Sequence, residues 1–316
     1  VILFAWTACA TLDAFVFNPV HCSTVGPETC ADADSEWDAI CARCADAYDW
    51  ERDYPWFPET LPQGATVRPI DPAFVTEASF ETADGLATLD AYFVASHRDD
   101  PDAATVTVVY SHGNYAGIEH YLPRVRYLHE AGYNVFVWDY RGYGKSEPAT
   151  TPTGEQHLAD ADAAWAVATE LAPNADQVVS YGYSLGAVAA TRMAEQGDPC
   201  ALVLEAPFTT LGAIAQQNTT LSLGEQMLSS GAFDNAARME VVDAPTLAMT
   251  GTADDLFPPD EVRDLVERGP GPREVWTLQG VHHGISDIGI PEAGYADYAQ
   301  RLGDFLALAG CRSSAP

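Results

Sequence analysis

A serine at the apex of a tight turn constrains this chain more than any other feature. The apolar run Val178-Val179-Ser180-Tyr181 leads into Gly182-Tyr183-Ser184-Leu185-Gly186, and a helical stretch, Ala187 to Glu195, follows at once. A strand that reverses into a helix within so few residues strains the backbone at its apex. A Cβ on either flanking glycine would collide with the adjacent strand or helix. The hydroxyl is then held above a sheet at the positive end of a helix, which makes Ser184 a candidate nucleophile.

A serine hydroxyl attacks only when a base takes its proton and an acid orients that base. Downstream, Ala244 to Thr250 reads as a buried strand ending at Gly251-Thr252-Ala253-Asp254-Asp255-Leu256-Phe257-Pro258. Asp254 or Asp255 emerges there, although an aspartate so close to the helix at Pro259 to Glu267 could also serve as its cap. The next strand, Arg273 to Leu278, runs into Gly280-Val281-His282-His283-Gly284. Neighbouring side chains in an extended loop point different ways, so one of the two histidines at most is the base. Both loops leave the carboxyl ends of their strands, where catalytic groups gather in open α/β sheets.

The rest of the pattern agrees. Phe80 to Val94 alternates around Asp84-Gly85, a hairpin signal, and is expected to supply an antiparallel entry to the sheet. Strands near 105–110, 133–138, 177–181, 201–205, 245–250 and 273–278 alternate with helices near 119–131, 155–171, 184–196, 259–268 and 292–309. Such alternation predicts an α/β fold, a mostly parallel central sheet covered by helices on both faces. The boundaries fall at residues 1–10 for an apolar remnant, 11–65 for a cysteine-containing extension and 66–312 for the main domain. A short helical insert at 208–243 has room for two short helices but not for a lid, which leaves an open crevice.

Further motifs carry a family resemblance. Tyr110-Ser111-His112-Gly113-Asn114 after an apolar strand is similar to the His-Gly segment of the oxyanion hole in α/β-hydrolases. Trp138-Asp139-Tyr140-Arg141-Gly142-Tyr143-Gly144-Lys145-Ser146 resembles their Asp-x-Arg-Gly-x-Gly-x-Ser turn, and Phe233 to Arg238 resembles members with a minimal cap. The resemblance spans residues 80 to 308 and implies a capless or small-cap serine esterase or thioesterase. It favours Asp254 through Gly-x-x-Asp-x-x-Phe-Pro and His283 through Gly-x-x-His. It implies Ser184, Asp254 and His283 as the triad, backbone N–H groups of Asn114 and Leu185 as oxyanion donors, and no metal or organic cofactor. The side chains of His112, Asp139 and Arg141 are read as architecture.

Tyr115, Tyr183, Phe208 and Phe257 lie near these loops in sequence and could line an apolar acyl cleft or belong to the core. The expected activity is cleavage of carboxylic esters with short to medium acyl chains, polyesters included. Thioester hydrolysis and amino-terminal peptide cleavage would use the same residues. A catalytically silent binding module is the alternative from another class, against which the intact triad argues.

Location and partners follow from the remainder. Trp6-Thr7-Ala8-Cys9 resembles the end of a signal peptide before a lipidated cysteine, so membrane attachment through Cys9, secretion or a simple apolar anchor are all open. Cys22, Cys30, Cys41, Cys44, Cys200 and Cys311 form an even set suited to an exported protein. Cys200 at a strand start and Cys311 after the last helix are the favoured pair. Zinc held by Cys22, Cys30, Cys41 and Cys44 competes poorly, with one Cys-x-x-Cys only. Net charge of −31, from 46 acidic and 15 basic residues, argues against nucleic acid and anionic membrane surfaces as partners. The same surface suits a salty medium, or is simply well solvated.

Overall fold

The computed structural model describes residues 16–19, 21–22, 50, 68–97, 105–210, 231–283 and 295–311. Among them, ten strands run in chain order: β1 (Val75–Glu77), β2 (Phe80–Glu81), β3 (Thr88–Leu89), β4 (Ala91–Val94), β5 (Thr107–Ser111), β6 (Asn134–Trp138), β7 (Val178–Tyr183), β8 (Ala201–Glu205), β9 (Thr246–Gly251) and β10 (Arg273–Leu278). The α-helices are α1 (Ile118–Glu130), α2 (Gly154–Leu171), α3 (Gly186–Gly197), α4 (Asn235–Met239), α5 (Pro259–Glu267) and α6 (Tyr295–Leu308).

Eight strands form one sheet in the order β1-β4-β6-β5-β7-β8-β9-β10. From β6 to β10 all pairings are parallel, while β4 pairs antiparallel with both β1 and β6. The expected hairpin takes a different place. Its turn does join β2 to β3, but these two strands form a separate two-stranded sheet. The antiparallel edge of the main sheet is instead β1 on β4, paired Val75 to Val94.

The central strands read as unbroken apolar runs because both faces are covered. On one face Val108, Tyr110, Val203 and Met249 meet Leu122, Val125 and Leu128 of α1 and Leu302 and Leu306 of α6. On the other, Val109, Phe136 and Trp138 meet α2 and α3 through Ala161, Val188 and Met193. Beside them Leu202, Leu204 and Ala248 meet Val262 and Leu265 of α5. Thr153 and Gln156 close a capping box at the start of α2, which fixes that helix end. The α1 start has no side-chain cap of its own; Asp139, after β6, accepts from the Ile118 N–H at 2.8 Å instead.

Cys200 and Cys311 are joined by a disulfide across a separation of 111 residues. Closing so long a loop contributes up to about 4–5 kcal/mol in the chain-entropy picture. Of the other cysteines, Cys9, Cys30, Cys41 and Cys44 lie outside the described residues, as does 211–230 of the insert. The described remainder of the insert contains a short 3-10 turn, Gly231–Phe233, and α4.

Parts of the extension lie against the main domain. Val16 and Phe17 are buried in the α2–α3 core, and Trp50 is buried on the α1 face. The Arg126 guanidinium donates to the Trp50 carbonyl at 2.8 Å.

Candidate active site

The elbow forms because the chain leaves β7 with no room to spare. Ser184 has φ 52°, a left-handed backbone that a side chain bears only at a cost of order 1–3 kcal/mol. Its N–H donates to the Glu205 carbonyl at 2.9 Å, which ties the turn to the end of β8. A Cβ on Gly182 would overlap the Gly186 carbonyl, and one on Gly186 would overlap the Ser111 carbonyl. Both contacts are with backbone, so neither can be relieved by a side-chain movement.

Three side chains from three strand ends meet here. The Ser184 hydroxyl lies 2.8 Å from His283 Nε2, and His283 Nδ1 lies 2.9 Å from Asp254 Oδ2. Asp254 accepts from the Leu256 and Phe257 N–H groups through Oδ1, each at 2.9 Å. That leaves Oδ2 for the imidazole. With Nδ1–H donated to a carboxylate, Nε2 is the acceptor for the serine proton. Asp254 and His283 are buried, whereas Asp255 and His282 are exposed and outside this chain of contacts. The two loops are also stitched directly: Thr252 N–H donates to the Leu278 carbonyl at 2.9 Å, and Ala253 N–H to the Val281 carbonyl at 3.0 Å.

The Asn114 loop is built differently. His112 is stacked between Tyr140, with centroids 4.1 Å apart, and Tyr121 at 5.0 Å. Its Nδ1–H donates to the Gly113 carbonyl at 2.7 Å and its Nε2 lies 3.1 Å from Asp139 Oδ1. The histidine therefore props the loop from below. Arg141 binds Asp160 of α2 and Asp84 of the β2–β3 turn, with Nε to Asp160 at 2.7 Å and Nη2 to Asp84 at 2.8 Å. Thr82, the Leu86 amide and Arg141 hold the Asp84 carboxyl down to about 2. Among the described residues, neither Asn114 N–H nor Leu185 N–H donates to a backbone carbonyl.

The four aromatics named from sequence are placed unequally. Phe257 meets the His283 ring edge-on at 5.1 Å, and Phe208 lies 5.4 Å behind Phe257. Tyr115 is half-buried against His120. Tyr183 is 2 % exposed and donates its hydroxyl to the His283 carbonyl at 2.8 Å. Its position is that of a strut under His283.

Sequence reasoning missed what stands behind that strut. The Arg124 guanidinium of α1 lies 4.2 Å from the Tyr183 ring centroid and donates to Glu205 Oε1 at 3.1 Å. Tyr181 donates to Glu205 Oε2 at 2.9 Å, and Tyr298 of α6 to Tyr181 at 3.2 Å. Burial pushes the Tyr181 phenol well above its ordinary range, so it remains a donor. Glu205 thus serves twice: its carbonyl fixes the Ser184 amide and its side chain fixes the arginine beneath Tyr183. The available signal was a glutamate closing the otherwise apolar run Ala201-Leu202-Val203-Leu204.

Residues 102–217 match the family described as serine aminopeptidase, S33. The chain is 28% identical over 207 residues to the α/β hydrolase domain-containing protein 17B of Xenopus laevis, covering 65% of this chain and 67% of that protein. It is 29% identical over 217 residues to the uncharacterized protein YfhR of Escherichia coli O157:H7, covering 67% and 75%. Among solved structures, an esterase of Pyrococcus furiosus superposes with a TM-score of 0.61 at 21% identity, over 79% of this chain and 98% of that one.

Proposed function

We propose that this chain, which is similar to α/β-hydrolases in sequence and in fold, is a carboxylesterase working through an acyl-enzyme at Ser184. The single observation that carries this reading is the unbroken Ser184–His283–Asp254 line, with 2.8 Å and 2.9 Å contacts, on a strained turn. His283 takes the serine proton as Oγ attacks the ester carbonyl carbon, and Asp254 steadies the imidazolium that results. Negative charge then develops on the former carbonyl oxygen, where the Leu185 and Asn114 N–H groups are the proposed donors. Losing one such donor typically costs about 100- to 1000-fold in kcat. Collapse breaks the C–O bond to the alcohol, which leaves with the proton from His283. Water, deprotonated by the same imidazole, then releases the acid.

Phe257, edge-on to the imidazole, with Phe208 behind it, is the proposed apolar wall for the acyl chain, with Tyr115 at its rim. An ester substrate, small or polymeric, is supported by the esterase likeness of the fold. The match to serine aminopeptidases favours one rival, cleavage of an amino-terminal peptide bond by the same residues. The Cys200–Cys311 bridge supports an exported protein, since disulfides persist in oxidising compartments.

The test is a substrate panel on wild type and Ser184→Ala. p-Nitrophenyl esters of increasing chain length should turn over, with a maximum at short to medium chains, and aminoacyl p-nitroanilides should not. Higher kcat/KM on the anilides would transfer the assignment to the aminopeptidase reading, and ester turnover surviving in Ser184→Ala would end both.

A further inference from the structure

The Asn114 loop has a partner that none of its own motifs announce. Residues 16–19 and 21–22 of the extension lie against it and against the turn after β6. Asn18 pairs with Tyr115 and His21 with Gly144 as parallel bridges, and Cys22 N–H donates to the Gly144 carbonyl at 2.9 Å. The Asn114 side chain lies between the two. Its Oδ1 accepts from Asn18 N–H at 2.8 Å and from the Tyr143 hydroxyl at 2.6 Å, and its Nδ2 donates to the Val16 carbonyl. Asn18 N–H also reaches the Tyr143 oxygen at 3.0 Å. Every polar atom of the carboxamide is thereby engaged, two of its three partners being main-chain groups of this strap.

The strap is itself anchored. Phe17 is 2 % exposed, packed on His157 with centroids 5.3 Å apart and on Phe233 at 5.6 Å. Val16 is buried beside it. The segment that grips Asn114 is consequently fixed to α2 and to the turn before α4, both outside the loop it holds.

We propose that Val16–Asn18 is a positioning element of the active site: it clamps the Asn114 carboxamide and so aims the Asn114 backbone N–H at the oxyanion. The inference rests on the esterase reading above. An amide donor works in catalysis only if it already points at the developing charge, and the Asn114 side chain ties the loop that carries this amide to the strap. Without the clamp, substrate would still dock, but the transition state would lose part of one donor. The loss should fall on kcat and on binding of oxyanion mimics, and spare KM.

Phe17→Ala, Asn114→Ala and Tyr143→Phe, made in the full chain, test this alongside Ser184→Ala. The first two should lower kcat by about 10- to 100-fold, the range expected of a donor displaced by about 1 Å, with KM within about twofold. Tyr143→Phe, which removes one of three bonds, should fall between them and wild type. The Ki of a phenylboronic acid, which mimics the tetrahedral adduct, should rise in proportion to the loss in kcat/KM. Phe17→Ala and Asn114→Ala should not multiply when combined, because both release the same clamp. Unchanged kcat in Asn114→Ala, or losses that multiply, would overturn the proposal. If Ser184→Ala is silent while Asn114→Ala matches wild type, this inference alone fails; if Ser184→Ala turns over, the esterase reading itself fails.

Discussion

The Ser184 elbow and the Asn114 loop face one another across the candidate site, yet they are held by opposite means. The elbow is locked by backbone against backbone, with Gly182, Gly186 and the Ser184–Glu205 hydrogen bond leaving no slack. The Asn114 loop is held by side chains: a stacked His112, the Asp139 carboxylate and the strap at Asn18. Rigidity of the first kind is written within a few residues. Rigidity of the second is assembled from positions scattered along the chain, and it should fail by degrees.

The largest effect should come from the charge buried behind the elbow. Arg124→Leu leaves the buried Glu205 carboxylate without its counter-charge, the Tyr181 hydroxyl remaining as a donor, and chemical denaturation should show a loss of about 3–5 kcal/mol. The double change Arg124→Leu with Glu205→Leu should cost less than Arg124→Leu alone. If the single variant unfolds like wild type, the elbow does not depend on that pair.

Glycine substitutions compare the two regions directly. A Cβ on Gly186 meets the Ser111 backbone, whereas one on Gly113 meets the Tyr121 hydroxyl at 2.7 Å and the Tyr183 ring at 2.9 Å. Side chains can give where backbone cannot. Gly186→Ala should therefore cost about 3 kcal/mol or more and Gly113→Ala about 1–2, read from thermal melts. The reverse order would break the contrast.

The strap side should also be the acid-sensitive one. His157 lies under Phe17, and burial, helped by His112 and Arg238, pushes its pKa down to about 3 from 6.5. Below pH 6.5 the unfolded chain binds a proton that the folded one refuses, so stability falls as pH falls towards about 3. Between pH 6.5 and 5 the loss is about 2 kcal/mol from this residue. His129, lowered by burial to about 4, adds a loss of the same sign. His157→Leu should flatten the denaturation midpoint against pH; an unchanged slope would remove this account.

The smallest effect separates a strut from a cleft wall. Tyr183→Phe keeps the ring and deletes the hydroxyl that holds the His283 carbonyl. Stability should drop by about 1 kcal/mol, and kcat should fall severalfold with KM unchanged. A rise in KM alone would return Tyr183 to the substrate.

What the sequence disclosed follows the same division. The elbow, the parallel strands and the acid and histidine loops were legible because glycine spacing and apolar runs are local. Even the Cys200–Cys311 bridge was legible, since Cys200 opens a strand and Cys311 follows the last helix. The hairpin at Asp84-Gly85 was seen, but not its separation from the main sheet, where β1 takes the edge beside β4. Tyr183 was left open between cleft and core because proximity in sequence does not reveal where a hydroxyl points. The strap left no trace, because its bonds run largely through main-chain groups of Val16 and Asn18, which any residues would offer.

Covalent labelling tests the central claim most directly. Intact-protein mass spectrometry after treatment with a fluorophosphonate should show one adduct, and peptide mapping should place it on Ser184. Labelling should vanish in His283→Ala and persist in His282→Ala. An adduct on another residue, or undiminished labelling without His283, would contradict the account.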